Sequence, residues 1–277
     1  MIESRTKLQG HERRSALEPP DIGPTALGRV ISTFLMGLAA FSVPAAADPL
    51  ALWRIVHEQC VLHEESGEGT KPCEAVDLSD GPQAGVAILK DLRGVAQMLA
   101  IPTQRITGIE DPQILAADAP DPFAAAWKAK PLVDARLPRP LPREAVAIAI
   151  NSEARRSQDQ LHLHIDCLSQ KVAGALARYS EPLDENWRQM TVPLNGRVYY
   201  ARRLDSADLV GARPLNLLAD GLGEARSDMG EFSLAAVGAV FGGKPGFILL
   251  ADRASADGGG HAEDLQDHDC AIARSTP

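Results

Sequence analysis

The stretch RSQDQLHLHIDC, Arg156 to Cys167, decides how this chain is read. From Gln160 to Asp166 polar and apolar residues alternate without a break. Gln160, His162, His164 and Asp166 fall on one side of an extended chain, and Leu161, Leu163 and Ile165 on the other. That period of two predicts a half-buried strand with both imidazoles on its polar face, about 6–7 Å apart along it. The chain has only seven histidines in 277 residues, so two on one strand face call for an explanation.

Three readings compete. As a metal clip, His162 and His164 need a further ligand; Asp166, His261 and His268 are candidates, and the spacing selects none of them. As plain structure, the two rings line a polar sheet face without chemistry. As a nucleophile with a helper, one neutral imidazole attacks phosphorus and the other hydrogen-bonds a phosphate oxygen. Donors in the preceding turn, such as Ser157, then reach the developing charge. The third reading accounts for both histidines, for the aligned Gln160 and Asp166, and for the Ser-Gln turn.

The surrounding sequence predicts the frame. AVAIAINS, ending at Ser152, is a buried strand just before the turn. Upstream, Leu50, Leu52, Trp53, Val56 and Cys60 keep a helical period behind Asp48 and Pro49. His57 on that helix reads as a surface or packing residue. Val86–Lys90 and Ala96–Ile101, joined by DLRG, form a hairpin that Pro102 ends. Phe123–Lys130 is a helix and Leu137–Pro142 a proline-broken connector. Downstream come a helix over Val172–Tyr179, a strand in RVYYARRL and a helix starting before Pro214. A second hairpin folds around GGKPG. The tail GGGHAEDLQDHDCAI starts flexible and ends in a short helix or extended segment. Strands with helices inserted between them give an α+β fold with a mainly antiparallel sheet.

Hydrophobic residues make up 45% and charged residues 23%, as in an ordinary globular chain. With 4% aromatics and a formal charge of −9, a nucleic-acid partner is not expected. Near the start, Arg29 precedes an apolar run, Val30 to Val43, and then Pro44 and three alanines. These are the parts of a secretory leader cleaved after Ala47. An uncleaved anchor is the alternative. Residues 48–277 then form one domain with a C-terminal extension.

Export changes how the cysteines read. Cys60, Cys73, Cys167 and Cys270 are even in number and all follow the leader, which suggests two disulfides with three possible pairings. Cys60 and Cys73 flank a short polar loop, so a local bridge there would leave Cys167 for Cys270. Zinc is the rival reading, but no C-x-x-C pair is present.

Four blocks, INSEARRSQDQLHLHIDC, MLAIPTQRITGIEDP, YYARRL and QDHDCAI, together resemble the CDP-diacylglycerol pyrophosphatase family of the histidine-triad superfamily. The resemblance spans about Trp53 to Ala273. It implies an α+β, histidine-triad-like fold: a mainly antiparallel sheet, flanking helices and an added C-terminal hairpin. It also implies hydrolysis of CDP-diacylglycerol to CMP and phosphatidate through a nucleotidyl-histidine, with no cofactor and no metal. Matched to the triad, Gln160 takes the first position, His162 the middle and nucleophilic one, and His164 the third, binding the α-phosphoryl group. Asn151, Ser157, Gln158, Gln160 and Arg105 are the implied phosphate and nucleotide contacts. Gln160 departs from the usual histidine but can still orient His162 by a hydrogen bond. The shifted register, with His164 as nucleophile and Asp166 third, stays open. Arg155, Arg156, Arg202 and Arg203 join Arg105 as candidates to neutralise phosphates. A Cys167–Cys270 bridge would bring His268 near the strand. The implied partners are the liponucleotide and a membrane surface, at the periplasmic face of the inner membrane. A metal-dependent hydrolase using His162 and His164, and a non-catalytic nucleotide- or lipid-binding module, are the competing functions.

Overall fold

The computed structural model describes residues 48–179 and 182–274; the leader expected over residues 1–47 lies outside them. One antiparallel sheet of nine strands runs through the described chain. Its strands are β1 Ala75–Asp77, β2 Val86–Lys90, β3 Met98–Pro102, β4 Val146–Ile150, β5 Leu163–Cys167, β6 Arg188–Gln189, β7 Tyr200–Leu204, β8 Phe232–Phe241 and β9 Lys244–Arg253. Their order across the sheet is β1-β2-β3-β5-β4-β8-β9-β7-β6. The α+β expectation therefore holds, with two changes. The β8–β9 hairpin is not an addition at the edge: β8 pairs with β4 and β9 with β7, so it forms the middle of the sheet. Its turn is Gly242–Gly243, both at positive φ, which is what a two-residue hairpin turn requires. The histidine strand also differs. β5 starts only at Leu163, and all five of its residues are buried. It lies between β3 and β4 with both faces covered, so its polar residues are internal rather than facing water.

The two faces carry separate cores. One is continuous: Val86, Ile88, Met98, Ala100, Ile148, Leu163, Ile165 and Leu249 pack under helices α3 Pro122–Lys128, α4 Lys130–Asp134 and α6 Pro214–Gly221. On the other face the core is divided. Ala87, Leu89, Leu99 and Ile101 lie under Leu52, Val56 and Cys60. These three belong to one helical run: α1 Ala51–Ile55, a π-helical Val56–Val61 and α2 Leu62–Ser66. Further along, Ala147, Ala149, Ala235 and Leu250 pack with Val172 of α5 Gln170–Arg178 and with Ala262 and Leu265 of the tail. His164 is paired with Leu99 on one side and Ala149 on the other, so it stands on this divided face, between the two apolar clusters.

Other boundaries move for local reasons. Asp121 caps α3 by accepting the Ala124 N–H, and α4 continues the helix to Asp134. Residues 205–213, just ahead of Pro214, are not helical. Arg213 sits in the left-handed region at φ 49°, and α6 begins at the proline, whose ring disfavours helix just before it. Nor does the tail start loosely. Gly260 donates to Asp252 Oδ2 and accepts from the Ser152 N–H. A side chain at Gly260 would come within 2.6 Å of Ser152 Oγ. The tail then passes through a 3-10 turn, Ala262–Leu265, to the short helix α7 Ala271–Arg274.

Both disulfides form as the local pairing suggested, Cys60–Cys73 and Cys167–Cys270. The second joins the end of β5 to the tail across 103 residues of sequence. Closing a loop of that length stabilises by up to about 4–5 kcal/mol through the entropy of the unfolded chain. The double variant Cys167→Ala/Cys270→Ala should therefore unfold at a clearly lower urea concentration than the parent chain. An unchanged midpoint would show that the tail is held by its side-chain contacts alone.

Candidate active site

His162 lies in the irregular residues just ahead of β5. Its Nδ1 is 2.7 Å from the Gln160 carbonyl oxygen, which can only accept, so the ring proton is on Nδ1 and the Nε2 lone pair is free. His164 follows two residues later on β5. The ring centroids are 5.0 Å apart and the planes meet at 69°. Both rings are buried, and burial lowers both pKa values. His164 falls to about 3, through burial and then the neighbouring His162. Both imidazoles are thus neutral at neutral pH.

Behind His164 is a carboxylate that the sequence did not single out. Glu263, in the 3-10 turn of the tail, puts Oε1 3.3 Å from His164 Nδ1. Gln97, just before β3, points its amide nitrogen at both, 3.1 Å from His164 Nδ1 and 3.2 Å from Glu263 Oε1. Asn151, at the end of β4, donates from Nδ2 to Glu263 Oε2 at 3.0 Å and accepts the Glu263 N–H on Oδ1. His268 Nε2 is 3.4 Å from Glu263 Oε1, and His261 Nε2 is 3.6 Å from Oε2. Burial alone would raise the Glu263 pKa. The hydrogen bond from His268, the proximity of His164 and the amides of Gln97 and Asn151 outweigh burial and hold it below the usual carboxylate range.

His268 connects this carboxylate to a second one. Its Nδ1 is 2.8 Å from Asp166 Oδ2, and the Cys167 N–H binds Asp166 Oδ1. Bonds to Asp166 and Glu263 push the His268 pKa up to about 10. Burial pushes Asp166 upward, opposed by His268 and the Cys167 N–H. An imidazolium gripped by two carboxylates is the arrangement these contacts favour. The Cys167–Cys270 bridge holds this part of the tail against β5, as the sequence suggested for His268.

The other expected residues divide. Gln160 lines the same small pocket as His162, but its side chain makes no hydrogen bond to either ring. Its side-chain nitrogen turns to the Pro102 and Gln104 carbonyls, and only its backbone oxygen orients His162. Asn151 has both ends of its amide on Glu263, and Gln158 caps α1 by accepting the Leu52 N–H and donating to the Asp48 carbonyl. Ser157 is exposed in the turn. Arg105 lies over the Trp53 ring, 5.4 Å from its centroid, and its buried Nη1 has no partner among the described residues. His57 stacks on the same Trp53, a packing role. Arg156 pairs with Glu110 and Asp159, and Arg155 donates to the Gly259 carbonyl. Arg202 and Arg203 are on β7, with β4, β8 and β9 between them and β5, so they do not join this cluster. For a metal, the only triple of ligand atoms among the described residues is Asp166, Cys167 and Cys270. Both of those sulfurs are in the disulfide, so His162 and His164 gain no third ligand from it.

A sequence model described as CDP-diacylglycerol pyrophosphatase matches residues 47–274. The chain belongs to the CDP-diacylglycerol pyrophosphatase family. A curated relative, the CDP-diacylglycerol pyrophosphatase of Yersinia pestis, is 38% identical over 229 residues, which is 82% of this chain and 86% of the relative. Family membership makes the chain a hydrolase acting on a diphosphate bond. The buried cluster built by β4, β5 and the tail lies inside the matched region.

The His268 ion pairs have a pH signature. The folded pKa, about 10, is above the reference value of 6.5, so the stabilisation is complete below about pH 6.5 and lost as pH rises toward 10. His268→Gln should therefore lose stability relative to the parent chain at pH 6, and the gap should close by pH 10 in urea titrations. A gap independent of pH would mean that His268 contributes packing rather than charge.

Proposed function

We propose that this enzyme hydrolyses CDP-diacylglycerol to CMP and phosphatidate through a covalent nucleotidyl-histidine on His162. The observation that carries the reading is the set of contacts at the two Nδ1 atoms, from which we assign the rings opposite tautomers. His162 bears its proton on Nδ1, which leaves Nε2 as the nucleophile. The His164 tautomer depends on Gln97. An ionised Glu263 can only accept, so the Gln97 atom facing it is the nitrogen. That nitrogen carries two hydrogens, one for Glu263 Oε1 and one for His164 Nδ1. His164 Nδ1 is then an acceptor, its proton sits on Nε2, and it can donate to a phosphoryl oxygen.

The chemistry follows from that pair. His162 Nε2 attacks the α-phosphorus in line with the bridging oxygen, and the P–O bond to phosphatidate breaks. The leaving group is a phosphate monoester, so no strong general acid is needed at this step. His164 Nε2–H stabilises charge on the non-bridging oxygens of the transition state. Water then attacks the phosphorus, the P–N bond breaks, and CMP and neutral His162 return. In histidine-triad terms, Gln160 holds the first place through its backbone, His162 the middle and His164 the third. Arg105, with its unpartnered Nη1, and the exposed Ser157 remain the side chains available to the diphosphate or nucleotide.

We also read residues 48–277 as the catalytic domain with its C-terminal extension, and residues 1–47 as an export leader or anchor. The two disulfides support an exported protein at the periplasmic face of the inner membrane. Among the described residues no helix is long and apolar enough to cross a membrane.

His162→Ala should lower the rate of CMP release by about a thousandfold or more while the circular dichroism spectrum is retained. Turnover that survives the substitution would refute the assignment. The pH profile gives an independent check. Burial lowers the His162 pKa below its ordinary 6.5, so the neutral nucleophile persists into mildly acidic solution. The acidic limb of kcat/KM should fall below pH 6.5. A limb at or above that pH would contradict a buried, neutral His162.

A further inference from the structure

The turn between β2 and β3 bears the most exposed of the large apolar side chains among the described residues. Leu92 is 103% exposed and Val95 49%. Arg93 between them is exposed, and its guanidinium has no ion-pair or hydrogen-bond partner among the described residues. Single exposed leucines are common and need no function. Three features set this one apart.

The first is that the turn is held rigidly. Lys90 Nζ donates to the Asp91, Arg93 and Gly94 carbonyls, at 2.6, 3.1 and 3.0 Å. The Arg93 N–H binds Asp91 Oδ1, and the Val95 N–H binds the His268 carbonyl. Leu92 is thus presented to solvent by a braced loop. The second is position. Asp91 Oδ2 is 3.9 Å from His164 Nδ1, and Gln97 closes the other end of the turn on the same ring. The turn is therefore anchored beside the site, on the Nδ1 side of His164. The third is the mixture of chemistries: two apolar side chains flank one unpaired cation, which suits a surface that is anionic outside and hydrocarbon inside.

We propose that Leu92 and Val95 insert into the outer hydrocarbon of an anionic phospholipid bilayer, with Arg93 at the level of the lipid phosphates. This docks the histidine site over a headgroup whose acyl chains stay in the membrane. The proposal rests on the reading of the substrate as a diacyl liponucleotide. It supplies what that reading needs, since a buried site can reach a bilayer-anchored diphosphate only if its rim meets the bilayer.

The direct test places a reporter at the tip in the full chain, as Leu92→Trp. The probe is vesicles of phosphatidylcholine and phosphatidylglycerol with brominated acyl chains. Quenching of the added emission, beyond that of the three native tryptophans in the parent chain, is the expected result. Emission at position 92 that stays unquenched while the protein is bound to the vesicles overturns the proposal. The second test compares rates on vesicle-embedded CDP-diacylglycerol and on a monomeric dihexanoyl analogue. Leu92→Ser/Val95→Ser should lose about tenfold or more on vesicles, the partition factor of one leucine side chain, and nothing on the soluble analogue. Equal losses on both substrates, or none on vesicles, overturn it. A parent chain that releases CMP from neither substrate would instead overturn the substrate reading, and docking would still be decided by the quenching alone.

Discussion

The site depends on one buried carboxylate. Glu263 comes from the tail, yet it touches Gln97 ahead of β3, Asn151 at the end of β4, His164 on β5 and His268 further along the tail. A lone carboxylate in this position would be expensive to desolvate. Here two amide donors and an imidazolium surround it, and the charge becomes the point at which four chain segments agree on their positions. Removing it would leave Gln97, Asn151 and His268 facing an empty acceptor, so its loss would be felt in the fold as well as in the chemistry. The Cys167–Cys270 bridge delivers the tail to this point, and Asp166, next to Cys167 in sequence, pairs with His268 two residues before Cys270.

The sheet explains why there is room for such a cluster. On one face the core runs unbroken beneath α3, α4 and α6. On the other, the apolar cover is split between the N-terminal helical run and α5, and His162 and His164 occupy the gap. Ala149, opposite His164 on β4, contributes only a methyl group, which leaves volume for the rings and for the tail behind them. The polar network is thus buried without interrupting either apolar cluster.

How much of this the sequence disclosed depends on the range of the interaction. Local signals are readable. The alternation in QLHLHID, the run VAIAI and the two hairpins all appear as strands, because their periodicity is a property of neighbouring residues. The same alternation overstates the strand: residues 160–162 are irregular, and Gln160 turns to the Pro102 and Gln104 carbonyls, a contact 56 to 58 residues distant. The apolar residues ahead of Pro214 suggest a helix, but the proline ring outweighs them and moves the helix start to itself. The cluster behind His164 is least legible. Glu263 is one acid among several in HAEDLQDHD, and Gln97 lies at the irregular entry to a strand. The two are 166 residues apart, and nothing in the local pattern marks either one. His268 is reachable only by way of the cysteines. Asn151 and Gln158 draw attention by position but serve Glu263 and α1, which only the three-dimensional contacts reveal.

The central claim is that phosphorus bonds transiently to His162 Nε2. The most direct measurement is a rapid acid-free quench of the enzyme with CDP-diacylglycerol labelled on the α-phosphate, followed by peptide mapping. The account predicts a base-stable, acid-labile label on the peptide that contains His162, absent from His162→Ala and chased to CMP by water. Label on His164, or turnover at full rate with no label on protein at any time, would contradict it.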